Sequence, residues 1–166
     1  MTVLEFNRLE EQAAFEELFK CCGSTNWAKQ VVAKRPFANL TEIKKVSDEI
    51  WNKGTEIDWL EAFTHHPKIG DPEAFKKKFA TKEWAANEQA GVQAASTDVI
   101  EKLANDNIEY EKRFGFIFIV CATGKSADEM LHLLEQRLPN TPEEEIKIAA
   151  EEQNKITHIR LTKLFA

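Results

Sequence analysis

The chain has 166 residues, 43% of them hydrophobic and 30% charged, with a formal net charge of −6 and a pI near 5.3. A chain of that length and mix can bury a sizeable core without disulfide or metal staples, which excludes a disordered segment and a small disulfide scaffold. The acidic balance excludes a phosphate-backbone partner, which needs a basic stripe to displace counterions, and no apolar run approaches the ~20 residues of a membrane span.

The opening residues, Met1-Thr2-Val3-Leu4-Glu5, lack the basic-then-apolar layout of a signal peptide, so a cytoplasmic location is expected. The cysteines are three, two of them adjacent at Cys21-Cys22, and no Cys-x-x-Cys occurs. They read as reduced thiols and not as a disulfide framework.

Leu9, Ala13, Phe15, Leu18 and Phe19 recur at helical spacing, and Gly23 follows where a left-handed cap commonly ends a helix. Ser24-Thr25-Asn26 offers N-cap side chains for a short helix from near Trp27 that stops before Pro36. A third helix spans about Leu40 to Gly54 through Ile43, Val46, Ile50 and Trp51, and a fourth carries Trp59, Leu60 and Phe63 into Thr64-His65-His66-Pro67. Asp71-Pro72-Glu73 has the cap-then-proline order of a helix start, which makes the His66 stretch a helix-to-helix loop. Trp84 to Gly91 reads as helical, with Ala85, Glu88 and Gln89 on one face, and after a break at Ala94-Ala95-Ser96-Thr97 a further helix runs from about Asp98 to Arg113.

Residues 114–124, bounded by glycines and rich in aromatic and β-branched side chains, read alone as a buried strand. Nothing else in the chain has strand character, so the expectation is an extended segment threaded through a helical protein, its unpaired backbone groups open to a polar ligand. Capping boxes at Ser126-Ala127-Asp128-Glu129 and Thr141-Pro142-Glu143-Glu144 start the last two helices. The fold class is therefore all-α, a single-domain helical bundle over residues 1–166 with one extended apolar segment near residues 114–124.

Three polar features remain as candidate chemistry. On the last helix, Ile146, Ala149, Ala150, Ile156, Thr157 and Leu164 share a side, with Gln153 and Arg160 in its middle. An arginine on such a stripe needs a counter-charge or a ligand; a snorkelling arginine or a structural ion pair is the alternative. His66 is suited to proton transfer with Glu88 as orienting partner, or it is a turn residue before proline. A metal held by His65, His66, Asp71 and Glu88 is disfavoured, because adjacent histidines on irregular backbone seldom face one ion and no His-x-x-x-His pair exists. No nucleophile elbow, phosphate-cradling loop or dinucleotide fingerprint is present, so no large cofactor is expected. Cys121, in the apolar run, reads as inert packing.

Taken in order, Cys21-Cys22-Gly23-Ser24 with Trp27, Arg35-Pro36-Phe37, Trp59-Leu60-Glu61-Ala62-Phe63, His66-Pro67-Lys68-Ile69-Gly70-Asp71, Glu88-Gln89-Ala90-Gly91, Phe114-Gly115-Phe116-Ile117-Phe118-Ile119 and Glu152-Gln153-Asn154-Lys155-Ile156-Thr157 with Arg160-Leu161 resemble the 2-oxo-4-hydroxy-4-carboxy-5-ureidoimidazoline (OHCU) decarboxylase family. The resemblance implies an all-α, cofactor-free, metal-free carbon–carbon lyase, usually a homodimer, that turns an anionic ureidoimidazoline into (S)-allantoin and carbon dioxide during urate degradation. It implies His66 as the acid/base residue with Glu88 as its catalytic partner. Pro67, Gln89, Arg160 and the backbone of Phe118, Ile119, Val120, Cys121 and Ala122 would be substrate contacts. Ala85 stands where related sequences often carry serine, and Lys68 where arginine is common, so one substrate hydrogen bond is missing or replaced. The rival readings are a decarboxylase of a related ureido or imidazoline acid, and a non-catalytic helical binding module that keeps the scaffold.

Overall fold

The computed structural model describes residues 1–66 and 97–166, and among these every regular element is an α-helix. The chain divides into two compact units, Met1–His66 with Ala150–Ala166, and Pro67–Ala149. The expected helices at Asp71-Pro72 and Trp84–Gly91 lie outside the described residues.

In the first unit, α1 (Val3–Arg8) opens on a capping box between Thr2 and Glu5, and α2 (Glu11–Cys21) follows. This corrects the reading of one helix through Leu9. Leu9 is the extended residue that closes α1, and its carbonyl, with that of Phe6, is taken by the Arg35 guanidinium at 2.8 and 3.0 Å. A cation on the orphan carbonyls of a helix C-terminus is favourable through both hydrogen bonding and the helix dipole. Gly23 also does not have the expected role: α2 ends at Cys22 in extended geometry, and among the described residues the glycines of positive φ are Gly115 and Gly124.

Ser24 caps α3 (Thr25–Ala33) through Trp27 N, and Asn39 caps α4 (Leu40–Asn52) through Glu42 N; α5 spans Glu56–Thr64. Indole N–H groups join these helices. Trp27 donates to Ser47 O at 3.3 Å, Trp51 to Ala150 O at 2.9 Å and Trp59 to Trp51 O at 3.2 Å, so each buries a large apolar body without orphaning its donor. Glu61 on α5 accepts from Thr25 N and Thr25 Oγ1 at 2.5 and 2.9 Å, a carboxylate on the N-terminal donors of α3. With Ala62 and Phe63 1% exposed, α5 is fixed along its length.

In the second unit, α6 (Thr97–Phe114) leads into residues 115–126, which contain no helix or strand, and then into α7 (Ala127–Arg137). The apolar run expected near 114–124 thus falls outside regular helix and strand from residue 115 on. Its alternate rings Phe114, Phe116 and Phe118 surround Tyr110 at centroid distances of 4.6, 5.8 and 5.3 Å, the period of two that extended backbone imposes.

The last helix, α8 (Pro142–Leu164), contributes to both units. Its predicted capping box is present, with Glu144 N on Thr141 Oγ1 and Thr141 N on Glu144 Oε2. Its buried row is Glu145, Ala149, Gln153, Thr157 and Leu161, an unbroken i, i+4 series. Ile156 and Leu164, expected on the buried side, are only half-buried, because the row is centred on the polar residues between them.

Candidate functional site

Helix α5 runs out at the two histidines. His65 donates its amide to Ala62 O at 3.2 Å, and His66 donates to Phe63 O at 3.3 Å, so both stay attached to the last helical turn. The His65 ring meets Phe19 edge-on at 4.9 Å and covers Gly23. A Cβ at Gly23 would lie 2.6 Å from two His65 ring carbons and 2.7 Å from His65 Cβ. Gly23 is thus required by close approach and not by its own dihedrals. Gly23→Ala is expected to lose about 1–3 kcal/mol, the range for an overpacked contact, and to reduce turnover by moving the segment that carries His66. Urea denaturation checks the first effect, and wild-type stability in this variant would refute the packing account.

His66 Nε2 is hydrogen-bonded to Gln153 Oε1 on α8. Gln153 Nε2 in turn donates to Thr157 Oγ1 at 3.3 Å, and the Thr157 hydroxyl donates to Gln153 O at 3.0 Å. Gln153 and Thr157 are 1% and 2% exposed. Buried amides and hydroxyls are tolerated when their donors and acceptors are matched, as these are.

Arg160 lies seven residues beyond Gln153, about 10 Å along the same helix. Its guanidinium makes a single long hydrogen bond, 3.4 Å to Cys21 O, and no ion pair among the described residues. Among the described residues no carboxylate pairs with Arg160, and a half-buried guanidinium is suited to an anionic ligand. The other polar residues on this part of α8 are paired structurally: Asp48 of α4 accepts from Asn154 Nδ2 at 2.7 Å and is bonded to His158 Nε2 at 2.6 Å.

The two thiols beside Arg160 are 3% and 1% exposed. Burial pushes Cys21 up to about 11, with Arg160 pulling the other way. Burial likewise pushes Cys22 up to about 12, against a hydrogen bond with Thr157. Both are neutral at pH 7 and unfit as nucleophiles. Their raised values also set an alkaline limit. Below about pH 9 both states hold neutral thiols. Above it the unfolded chain ionises while the folded one does not, so the unfolded state binds fewer protons and stability falls until the folded thiols ionise. A loss of up to about 1.4 kcal/mol per thiol per pH unit is expected from pH 9 toward 11, measured by denaturation midpoints at stepped pH. The Cys21→Ala/Cys22→Ala variant should lose less over that range; an equal loss would assign the effect elsewhere.

In the second unit, the extended segment meets a buried ion pair that the sequence reading did not identify. Arg137 on α7 bonds Glu145 Oε1 through Nε at 2.6 Å and Nη2 at 2.5 Å, and donates through Nη1 to Ile119 O at 2.6 Å. Its guanidinium stacks 4.6 Å from the Phe118 ring. Tyr110 OH donates to the same Glu145 oxygen, and burial holds that phenol well above its ordinary range. Asn140 Nδ2 occupies the other carboxylate oxygen at 3.1 Å. Arg137 is 7% and Glu145 0% exposed. Glu145 was legible as a polar member of the i, i+4 row that includes Gln153; nothing in the sequence marks Arg137.

The backbone of Phe118–Ala122 is engaged at three of its carbonyls among the described residues. The carbonyls of Ile119, Cys121 and Ala122 are engaged, by Arg137, by Lys125 Nζ at 2.7 Å and by Lys125 N at 3.0 Å. They are taken because a buried guanidinium and a turn need acceptors. The amides of Phe118, Ile119, Val120 and Cys121 have no partner among the described residues. Pro67, Glu88 and Gln89, with Lys68, Asp71 and Ala85, lie outside the described residues. Among those described, no group of three His, Cys, Asp or Glu side chains is placed to hold a metal ion, and no helix is long and apolar enough to cross a membrane.

These features define a class: an all-helical protein that presents one imidazole at the end of a short helix, anchored to a buried polar row on a helix that also carries a cation without an ion-pair partner among the described residues. The OHCU decarboxylase family model matches residues 7–162, and the chain belongs to that family, whose members are carboxy-lyases. The uric acid degradation bifunctional protein TTL of Arabidopsis thaliana is 40% identical over 148 residues, covering 88% of this chain and 45% of that protein. The chain thus spans less than half of that relative, and 32% of the bifunctional uric acid degradation protein of Bacillus sp. (strain TB-90). The OHCU decarboxylase of Xenopus laevis is 28% identical over 135 residues, covering 80% of this chain and 76% of its own. A crystal structure of OHCU decarboxylase in the presence of (S)-allantoin superposes with a TM-score of 0.73 at 40% identity, covering 90% of this chain and 97% of the other. A structure of (S)-allantoin synthase, 19% identical with a TM-score of 0.74, shares the fold.

Proposed function

We propose that this chain decarboxylates 2-oxo-4-hydroxy-4-carboxy-5-ureidoimidazoline to (S)-allantoin and carbon dioxide in urate degradation, without a cofactor. The observation that carries this reading is the arrangement on α8, where the anchor of His66 and a cation with no ion-pair partner among the described residues occupy one helix side, in a member of this family.

The chemistry asks for little more. The bond from C4 to the carboxylate breaks and its electron pair delocalises through C4 into the adjacent C5=N, whose nitrogen takes a proton to leave an enol at C4; a proton is then delivered to one face of C5 while the C4 hydroxyl gives up its proton and becomes the ring carbonyl. A metal or pyridoxal sink is not needed, so the protein contributes positioning and one proton-transfer group. In this reading His66 moves the proton and Arg160 holds the anion. Glu88 orients His66 and contacts ureido N–H groups, Gln89 clamps the substrate, Pro67 packs against it, and the amides of the 118–122 segment hold ring or ureido oxygens. A homodimer working in the cytoplasm belongs to the same reading.

Ligand-dependent unfolding tests the pocket. A ligand at 100 times its dissociation constant stabilises by about 2.7 kcal/mol, which raises the melting temperature of a domain this size by roughly 5–10 °C. (S)-Allantoin should give a larger shift than (R)-allantoin. No shift with either, at concentrations up to solubility, would oppose the reading.

A further inference from the structure

We propose that Arg137 and Lys125 are positioning residues that turn two peptide planes of the 118–122 segment, so that the N–H groups of Val120 and Ala122 are presented to oxygen atoms of the ligand. The inference rests on the decarboxylase reading and names what aims the donors that reading requires. In a trans peptide the C=O and the following N–H share one plane and point in opposite directions. A plane whose oxygen is tied down therefore has its N–H aimed as well. Among the described residues the cis bond is Arg35-Pro36, so the rule holds for both planes.

The two oxygens are tied by unlike cations. Arg137 Nη1 donates to Ile119 O at 2.6 Å. Its direction is not free, because Nε and Nη2 of the same planar guanidinium are held on Glu145 Oε1 at 2.6 and 2.5 Å, and the group stacks 4.6 Å from the Phe118 ring. A rigid fork fixed through two nitrogens fixes the third. Val120 N–H thus lies on the edge of its plane away from Arg137. Lys125 repeats the device at the Cys121–Ala122 plane. Its amide closes a turn on Ala122 O at 3.0 Å, and its Nζ comes back to Cys121 O at 2.7 Å, which sets Ala122 N–H on the opposite edge. Ile119 and Cys121 are 2% and 7% exposed, whereas Val120 and Ala122 are half-buried. An irregular segment offers carbonyls as readily as amides, and carbonyls repel the oxygens of an anionic ligand. With its carbonyls spent on cations, this one offers donors.

Lys125 is the residue to test first, since it is half-buried and its removal strands no carboxylate among the described residues. Lys125→Met should melt within about 4 °C of wild type. Its KM and its (S)-allantoin dissociation constant should rise roughly three- to tenfold, the effect of one lost hydrogen bond, with kcat within about threefold. Allantoin is uncharged at neutral pH, so that loss is not a lost attraction to a cation. Lys125→Arg, which keeps a donor for Cys121 O, should restore both constants. In 1H–15N amide spectra of wild type titrated with (S)-allantoin, the Val120 and Ala122 protons should move downfield. Lys125→Met should lose the Ala122 response and keep that of Val120, and Arg137→Leu/Glu145→Leu should do the reverse. Wild type that turns over while neither amide responds, or Lys125→Met with unchanged constants and an unchanged Ala122 response, overturns the proposal. Amide responses without turnover would overturn the decarboxylase reading alone, and the absence of both would overturn the two together.

Discussion

His66→Asn is expected to lower kcat by about 10²–10⁴, the contribution of a positioned acid/base group, while the protein stays folded with a stability change within roughly 1 kcal/mol. Asparagine is polar and fills part of the ring's space, but it has no group that titrates near neutral pH. What is lost is proton delivery, and the allantoin formed in its presence should be racemic, as in uncatalysed decay. Steady-state kinetics with unfolding curves checks both halves. A folded His66→Asn variant with full, enantioselective turnover would remove His66 from the mechanism.

The largest expected effect on stability lies in the other unit. Arg137→Leu leaves the Glu145 carboxylate, 0% exposed, without its cation, and removing one partner of a buried ion pair costs about 3–5 kcal/mol. Against a total of about 5–15 kcal/mol for a domain, that places the variant near the unfolding threshold at 37 °C. Arg137 also holds Ile119 O at 2.6 Å, so the segment around it should loosen with it, visible as faster hydrogen exchange over residues 118–122. The Arg137→Leu/Glu145→Leu double variant should be more stable than Arg137→Leu alone, because no charge is then stranded. Additive losses in that cycle would show that the pair is not coupled.

What could be read from the sequence was local. Ser24, Asn39, Ser126 and Thr141 each mark a helix start by a side chain that bonds an amide three residues on, and Asn39 alone was not singled out beforehand. The extended run at 114–124 was legible from its composition. The role of Gly23 was not, because its reason, the His65 ring, lies more than 40 residues away in sequence. The Thr2/Glu5 capping box shows that α1 was legible too, but the apolar spacing through Leu9 masked the break. At the site, the His-Pro motif and the stripe on α8 pointed to His66, Gln153 and Arg160. Sequence could not say that His66 and Gln153 are partners, nor that Arg160 has no ion-pair partner among the described residues, since both facts depend on tertiary packing. The Arg137–Glu145 pair is a tertiary contact in which only the buried phase of Glu145 gives a hint.

The measurement that bears most directly on the proposed function is the circular dichroism of allantoin formed when urate, urate oxidase and a hydroxyisourate hydrolase generate the substrate in the presence of this protein. The account predicts rapid appearance of (S)-allantoin with release of carbon dioxide, at a rate proportional to enzyme. Racemic allantoin at the spontaneous rate, from protein shown to be folded, would contradict it.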